Sequence, residues 1–310
     1  MKTLTVATRA SDLAIFQTNT VIAKLLKIAP NLKIKIAEVT TSGDSDTRTA
    51  LWNLKNTGFF TSQLEDALLE GSADLAVHSF KDMPTKENLL LQITAAFDRN
   101  YPADCLVARK KIKSLDELPA NACVGTSSLR RASQLLFKRA DLKILPIRGN
   151  IQTRLTKLDQ GQYDAVIIAS AALERLCMTD SISITFSPDD FIPAPAQGAI
   201  AVQTRSDDNE TNQLVSQIDD IQTRIICLAE RQILKITKCG CHAPVGAFAK
   251  IRENDIIIDA FIADCHAEIM IRKQITGPID QHLILAEKLA NEILNAGGRK
   301  ILDDLESDNN

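Results

Sequence analysis

No stretch of the 310-residue chain approaches the roughly 20 consecutive apolar residues that a bilayer-spanning helix needs. Nor is there a long apolar run at the start. Met1 and Lys2 lead at once into a strand-like segment at 4–7, so no secretory signal is read and the expected compartment is the cytoplasm. A basic excess is also missing. Lys and Arg number 36 against 39 Asp and Glu, for a net charge of −3. That balance gives no support to a general nucleic-acid or membrane-surface binder, although a local basic pocket is compatible with it. No fixed-period repeat or low-complexity tract is found. The seven cysteines are odd in number and irregularly spaced. Without an export signal, most are read as reduced, partly buried small hydrophobes.

What is present fits a soluble globular chain. Hydrophobic residues make up 45% and charged residues 24%, close to the usual balance. The length allows two or three domains and a sizeable core without disulfide or metal staples. Strand-like runs at 4–7, 34–39, 74–78, 89–95, 105–108, 122–125, 143–146 and 165–168 alternate with helical patterns at 12–28, 61–69, 129–139, 151–160 and 171–176. That alternation predicts α/β lobes with mainly parallel sheets. Polar, turn-prone residues at 98–102 and the Pro-Ala-Pro-Ala-Gln-Gly segment at 193–198 mark two chain crossings. The run 199–202 returns to a sheet begun earlier. From about residue 219 a long helix (221–235), three strands (245–251, 256–263, 268–274) and a helix at 279–294 predict a smaller α+β unit. The acidic tail from Asp303 is read as frayed. The expected domains are 1–98 with 198–217, then 103–193, then 219–310.

Three strand-to-helix turns share a composition of arginine with small hydroxyl or glycine residues. They are Thr8-Arg9-Ala10-Ser11, Gly125-Thr126-Ser127-Ser128-Leu129-Arg130-Arg131, and Arg148-Gly149-Asn150 with Arg154 one turn further. Free N–H groups and the positive dipole end suit a helix start to anions. A guanidinium adds a planar fork matched to carboxylates. On the simpler reading, Ser11, Ser128 and Asn150 are ordinary N-caps and the arginines sit on solvated helix faces; three such turns in one α/β unit favour an anion pocket. A fourth turn, His78-Ser79-Phe80-Lys81-Asp82-Met83-Pro84, places a carboxylate beside a lysine at a strand end. Asp82 is there either a turn-former or a candidate acid. Cys239-Gly240-Cys241-His242 is spaced too tightly for an ordinary zinc knuckle and lacks a second ligand pair. It reads equally as a structural or a reactive loop thiol.

These stretches, together with Pro195-Ala196-Gln197-Gly198-Ala199 and Gly240-Cys241-His242-Ala243-Pro244-Val245-Gly246, occur in an order and spacing that resembles the hydroxymethylbilane synthase (porphobilinogen deaminase) family along nearly the whole chain. The resemblance implies two doubly wound α/β lobes hinged like a type II periplasmic binding protein, plus a small C-terminal α+β domain. It implies a transferase that joins four porphobilinogen molecules head-to-tail on a dipyrromethane cofactor and releases hydroxymethylbilane. It implies that Cys241 carries that cofactor through a thioether and that Asp82 is the catalytic aspartate. Lys81, Ser127, Arg130, Arg131, Arg148, Arg154, Gln197 and Gly198 are implied on the cofactor side. Arg9, Ser11, Arg148, Arg154 and Arg175 are implied for the substrate's acetate and propionate groups. No metal, no nucleic-acid or membrane partner and a monomer are the corresponding expectations. The sequence departs from the family at Asn56-Thr57-Gly58, where a glycine-lysine-glycine lid is usual, at Ser42-Gly43-Asp44, which lacks a preceding basic residue, and at Cys239, where glycine is usual. The rival reading is a two-lobed solute-binding protein for a small anion, which would need no reactive cysteine.

Overall fold

A computed structural model describes residues 3–40, 61–86, 88–238, 243–265 and 267–308. Along the chain the elements are β1 (Thr3–Arg9), α1 (Asp12–Ile28), β2 (Lys33–Val39), α2 (Ser62–Leu69), β3 (Leu75–Ser79), β4 (Leu91–Phe97) and β5 (Asp104–Ala108). There follow β6 (Cys123–Gly125), α3 (Leu129–Lys138), β7 (Lys143–Leu145), α4 (Ile151–Asp159), β8 (Ala165–Ala169), α5 (Ser170–Arg175), β9 (Ile184–Thr185) and β10 (Ile200–Arg205). The chain ends with α6 (Asn209–Val215), α7 (Ile221–Thr237), β11 (Val245–Arg252), β12 (Asp255–Ala263), β13 (Met270–Pro278), α8 (His282–Ile293) and α9 (Arg299–Asp308).

The chain divides into two compact units. One holds the described residues through Asn100 together with Gly198–Arg224; the other holds Tyr101–Gln197 and the described residues from Ile225 onward. In the first unit a five-stranded sheet runs β2-β1-β3-β10-β4. β1 is parallel to β2 and β3, and β10 lies antiparallel between β3 and β4. The second crossing thus returns the chain to the sheet it left. β3 reads Leu-Ala-Val-His-Ser with its first four residues buried, the continuous burial expected of a strand covered on both faces. In α1, Ser11 accepts from the Ala14 N–H, Asp12 lies in the first turn and Lys27 in the last, an arrangement that satisfies an end donor and complements the dipole.

The second unit holds a sheet of order β7-β6-β8-β5-β9, in which β6 is parallel to β7 and β8 while β5 is antiparallel to β8 and β9. The antiparallel meander β11-β12-β13 forms a third sheet. Its core joins Ile233, Ala247, Ile258, Leu289 and Ile293, each wholly buried and worth roughly 1.5–3 kcal/mol for the larger side chains. The fold is thus mixed α/β with two sheet lobes and a small C-terminal sheet-and-helix portion. Local differences from the expected elements are of three kinds. The third strand of the meander starts at Met270 rather than Glu268. The short β9 and α6 carry too few residues for a periodic signal. The tail read as frayed from Asp303 is helical to Asp308, because Ile301 and Leu302 anchor it in the core.

Candidate active site

In the first unit, Arg9 ends β1 and Ser11 caps the helix that follows. Lys81 and Asp82 lie on the tight turn Phe80–Asp82 that follows the neighbouring parallel strand β3. All four therefore sit at the carboxyl edge of the sheet, where open α/β folds place ligands. The turn is held from below. Phe80 and Met83 are buried, and the Phe80 N–H donates to the Ala199 carbonyl at 3.0 Å, just beyond Gly198. With those two side chains as anchors, Lys81 and Asp82 between them stay half-buried. Asp82 is thus reachable by a ligand.

Gly198 adopts a φ of 92°, in the left-handed region that glycine enters without a Cβ penalty. Behind the turn, His78 is buried. Its Nε2 lies 3.1 Å from Gln203 Oε1, and Gln203 Nε2 donates to Glu65 Oε1 at 2.9 Å. Burial lowers the His78 pKa to about 4; the Gln203 hydrogen bond opposes that change and nearby Arg9 adds to it.

In the second unit, three adjacent parallel strands deliver cations to one edge. Arg130 and Arg131 lie on α3 after β6, Arg148 follows β7 with Arg154 on α4, and Arg175 ends α5 after β8. Arg130, Arg131 and Arg148 are buried at 4%, 7% and 6% exposure, so the reading of solvated helix faces does not apply to them. Arg154 and Arg175 are half-buried. Arg154 Nε donates to the Gly149 carbonyl at 2.9 Å. Ser127 Oγ donates to the Ile147 carbonyl at 2.7 Å and accepts from the Ile147 N–H at 3.0 Å, which ties the end of β6 to the segment carrying Arg148. Asn150 caps α4 by accepting from the Thr153 N–H at 2.9 Å. Ser128 occupies the cap position of α3 without a side-chain cap bond.

A residue that the sequence did not flag organises the arginine pair. Asp104, wholly buried, accepts at Oδ1 from Arg131 Nε (3.0 Å) and Nη2 (2.7 Å). Arg130 Nη2 lies 2.8 Å from Oδ2, and Arg130 Nη1 donates to the Ile192 carbonyl at 2.7 Å. Burial alone would raise the Asp104 pKa, but Arg130 and Arg131 outweigh it and hold the carboxyl well below the usual range. Burial pulls the Arg130 pKa down, with Asp104 opposing. One carboxylate thus answers two guanidinium groups, which leaves a cationic surplus in a desolvated place. That donor set fits a group bearing several carboxylates, as dipyrromethane does. Cys239, Gly240, Cys241 and His242 lie outside the described residues, as do Asn56-Thr57-Gly58 and Ser42-Gly43-Asp44. Among the described residues no cluster of metal-ligating side chains is found, and no helix is long and apolar enough to cross a membrane.

Comparison with known proteins identifies the family. The model of the porphobilinogen deaminase dipyrromethane cofactor binding domain matches residues 4–213, and that of the porphobilinogen deaminase C-terminal domain matches 224–295. A porphobilinogen deaminase of Carboxydothermus hydrogenoformans is 39% identical over 100% of this chain and 99% of its own. One of Natranaerobius thermophilus is 40% identical over 97% of this chain and 98% of its own. A solved lipoprotein of the YaeC family from Enterococcus faecalis V583 overlaps 70% of this chain and 91% of its own at 20% identity and a TM-score of 0.43, too loosely to bear on function. Matched by both domain models and by relatives along its whole length, this chain belongs to the porphobilinogen deaminase family.

Proposed function

We propose that this chain is a transferase of tetrapyrrole biosynthesis that joins four porphobilinogen molecules head-to-tail and releases hydroxymethylbilane. The observation that carries the reading is a carboxylate and an arginine set, each at the carboxyl ends of the parallel strands of its own mixed sheet, in a chain of this family. A covalently held dipyrromethane supplies the primer whose free pyrrole α-carbon accepts the next unit, and Cys241 is the residue assigned to bear it. Lys81, Ser127, Arg130, Arg131, Arg148, Arg154, Gln197 and Gly198 are assigned to hold that group, and Arg9, Ser11, Arg148, Arg154 and Arg175 to hold substrate. Each pyrrole unit brings two carboxylates, so planar guanidinium forks are the suited partners.

In each round porphobilinogen, its aminomethyl group protonated, loses ammonia and becomes an electrophilic azafulvenium cation. Asp82 stabilises that charge as it forms. It also accepts the proton lost from the attacking pyrrole carbon when aromaticity returns. With the primer held on Cys241, hydrolysis after the fourth addition would release the tetrapyrrole and leave the primer in place. The reading includes a monomer acting in the cytoplasm without an obligate protein partner, and the three-domain division 1–98 with 198–217, 103–193 and 219–310. Intact-protein mass spectrometry tests it. The purified chain is expected to exceed its sequence mass by one dipyrromethane, to lose that excess in Cys241→Ser and to keep it in Cys239→Ser. An active protein without an adduct, or an adduct mapped to Cys239, overturns the assignment. A solute-binding protein would carry no adduct at all.

A further inference from the structure

Asp104 does more than neutralise a neighbour. Arg131 gives it both Nε and Nη2, and its Nη1 donates to the Ile167 carbonyl at 3.2 Å, so every nitrogen of that guanidinium is tethered and its plane is fixed, while each terminal nitrogen carries a second N–H. Arg130 is held by Ile192 and by the ion pair to Oδ2, a contact without hydrogen-bond alignment.

Asp104 is itself clamped. Gln197 Nε2 donates to its Oδ1 at 3.0 Å and to the Pro102 and Ala103 carbonyls at 2.8 and 3.2 Å. The residue before Gln197, Ala196, sits at a φ of 61°, a conformation costly for a residue with a Cβ. Its N–H is held by the buried Glu230 Oε2 at 2.7 Å, while Glu230 Oε1 accepts from the Ala249 N–H of β11 at 2.6 Å. A continuous chain of buried polar contacts therefore runs from α7 and β11 through Gln197 and Asp104 to the arginine pair, all inside the second unit. A simple counter-ion would need none of this bracing.

We propose that Asp104 is a positioning residue: it fixes the orientation of Arg130 and Arg131 so that the pair receives the carboxylates of the dipyrromethane group, and loading of that group depends on it. The proposal rests on the functional reading above. Asp104→Asn keeps the shape and removes the charge. Asp104→Glu keeps the charge and shifts the carboxylate by one methylene. Each variant is purified, checked for folding by circular dichroism and weighed intact beside the parent. Groups that orient metal ligands cost about 10–100-fold when removed; by the same logic the fraction of folded protein carrying the adduct is expected to fall about tenfold or more in both.

Asp104→Glu is the sharper arm, because a mere counter-ion role leaves its loading at the parent level; that result overturns the proposal. If Asp104→Asn does not fold, Asp104→Glu alone decides. Parent-like loading in a folded Asp104→Asn overturns the proposal while leaving the functional reading intact. A parent without adduct overturns the functional reading, and this inference with it.

Discussion

Asp82 owes its accessibility to its neighbours. Phe80 and Met83 enter the core and the intervening Lys81 and Asp82 remain half-buried on the turn. A half-buried carboxylate can meet both a developing cation and the solvent that must carry protons away. Asp82→Asn leaves both anchors and the Phe80–Ala199 backbone bond in place, so the variant is expected to fold and to retain its covalent group. Loss of a preorganised charge partner commonly costs on the order of 10²-fold or more, and porphobilinogen turnover of the variant should fall by about that factor. Turnover close to the parent's would leave Asp82 a turn-former and nothing more. Ser11 and Asn150 show the opposite outcome for a plain structural reading. Both accept a backbone N–H three residues on, as ordinary caps do, while standing next to candidate ligand groups.

At the scale of elements, the connection from β7 to α4 carries Arg148, leads directly to Arg154 in the first turns of α4, and turns on one glycine. Gly149 has a φ of 109°. A Cβ built there would lie 2.6 Å from Thr153 Cγ2 and 2.8 Å from Thr153 Cβ. The Gly149 carbonyl also anchors Arg154 Nε. Gly149→Ala therefore meets both a dihedral penalty of about 1–2 kcal/mol and a collision that displaces Thr153, whose N–H the Asn150 cap needs. The expected result is a lower thermal midpoint together with weaker retention of the adduct, since Arg148 and Arg154 move with the turn. A variant as stable and as fully loaded as the parent would show that the turn does not set those arginines.

Much of this level is readable in the sequence because it is local. The span of α1 matches its pattern to the residue, and each of the arginine-bearing turns falls between a strand and a helix as expected. Asp104 is not legible in this way. Its partners lie 26 and 27 residues ahead at Arg130 and Arg131 and 93 ahead at Gln197, and no periodicity joins them. Read locally, it is only an acid opening an apolar strand. Ser128 has the composition of a cap without the bond: its own N–H is taken by Thr126 Oγ1, and its side chain makes no cap contact.

For the molecule as a whole, two buried titratable groups respond to acid at different points. Asp104, in the second unit, is held ionised far below the usual carboxylate range by its two arginines, so its contribution does not change in mildly acidic solution. His78, in the first unit, lies in β3 at the middle of the sheet, is bound to Gln203 of β10 and through it to Glu65 of α2, and is held neutral by burial with a pKa of about 4 against the ordinary 6.5. The unfolded chain therefore binds a proton at this position between about pH 6.5 and 4 while the folded chain does not. Stability is fully present above pH 6.5, declines as pH falls through that window, and levels off below about 4. Each tenfold difference in proton affinity between the two states is worth about 1.4 kcal/mol. The whole effect is then roughly 3 kcal/mol, a large share of a typical domain's stability. Thermal unfolding followed across that acid window should show this loss. His78→Gln, which cannot titrate and retains an amide to meet Gln203, should flatten the curve there even if it lowers the midpoint at neutral pH. An unchanged slope in the variant would place the acid sensitivity elsewhere and show that His78 accepts its proton without loss of the folded sheet.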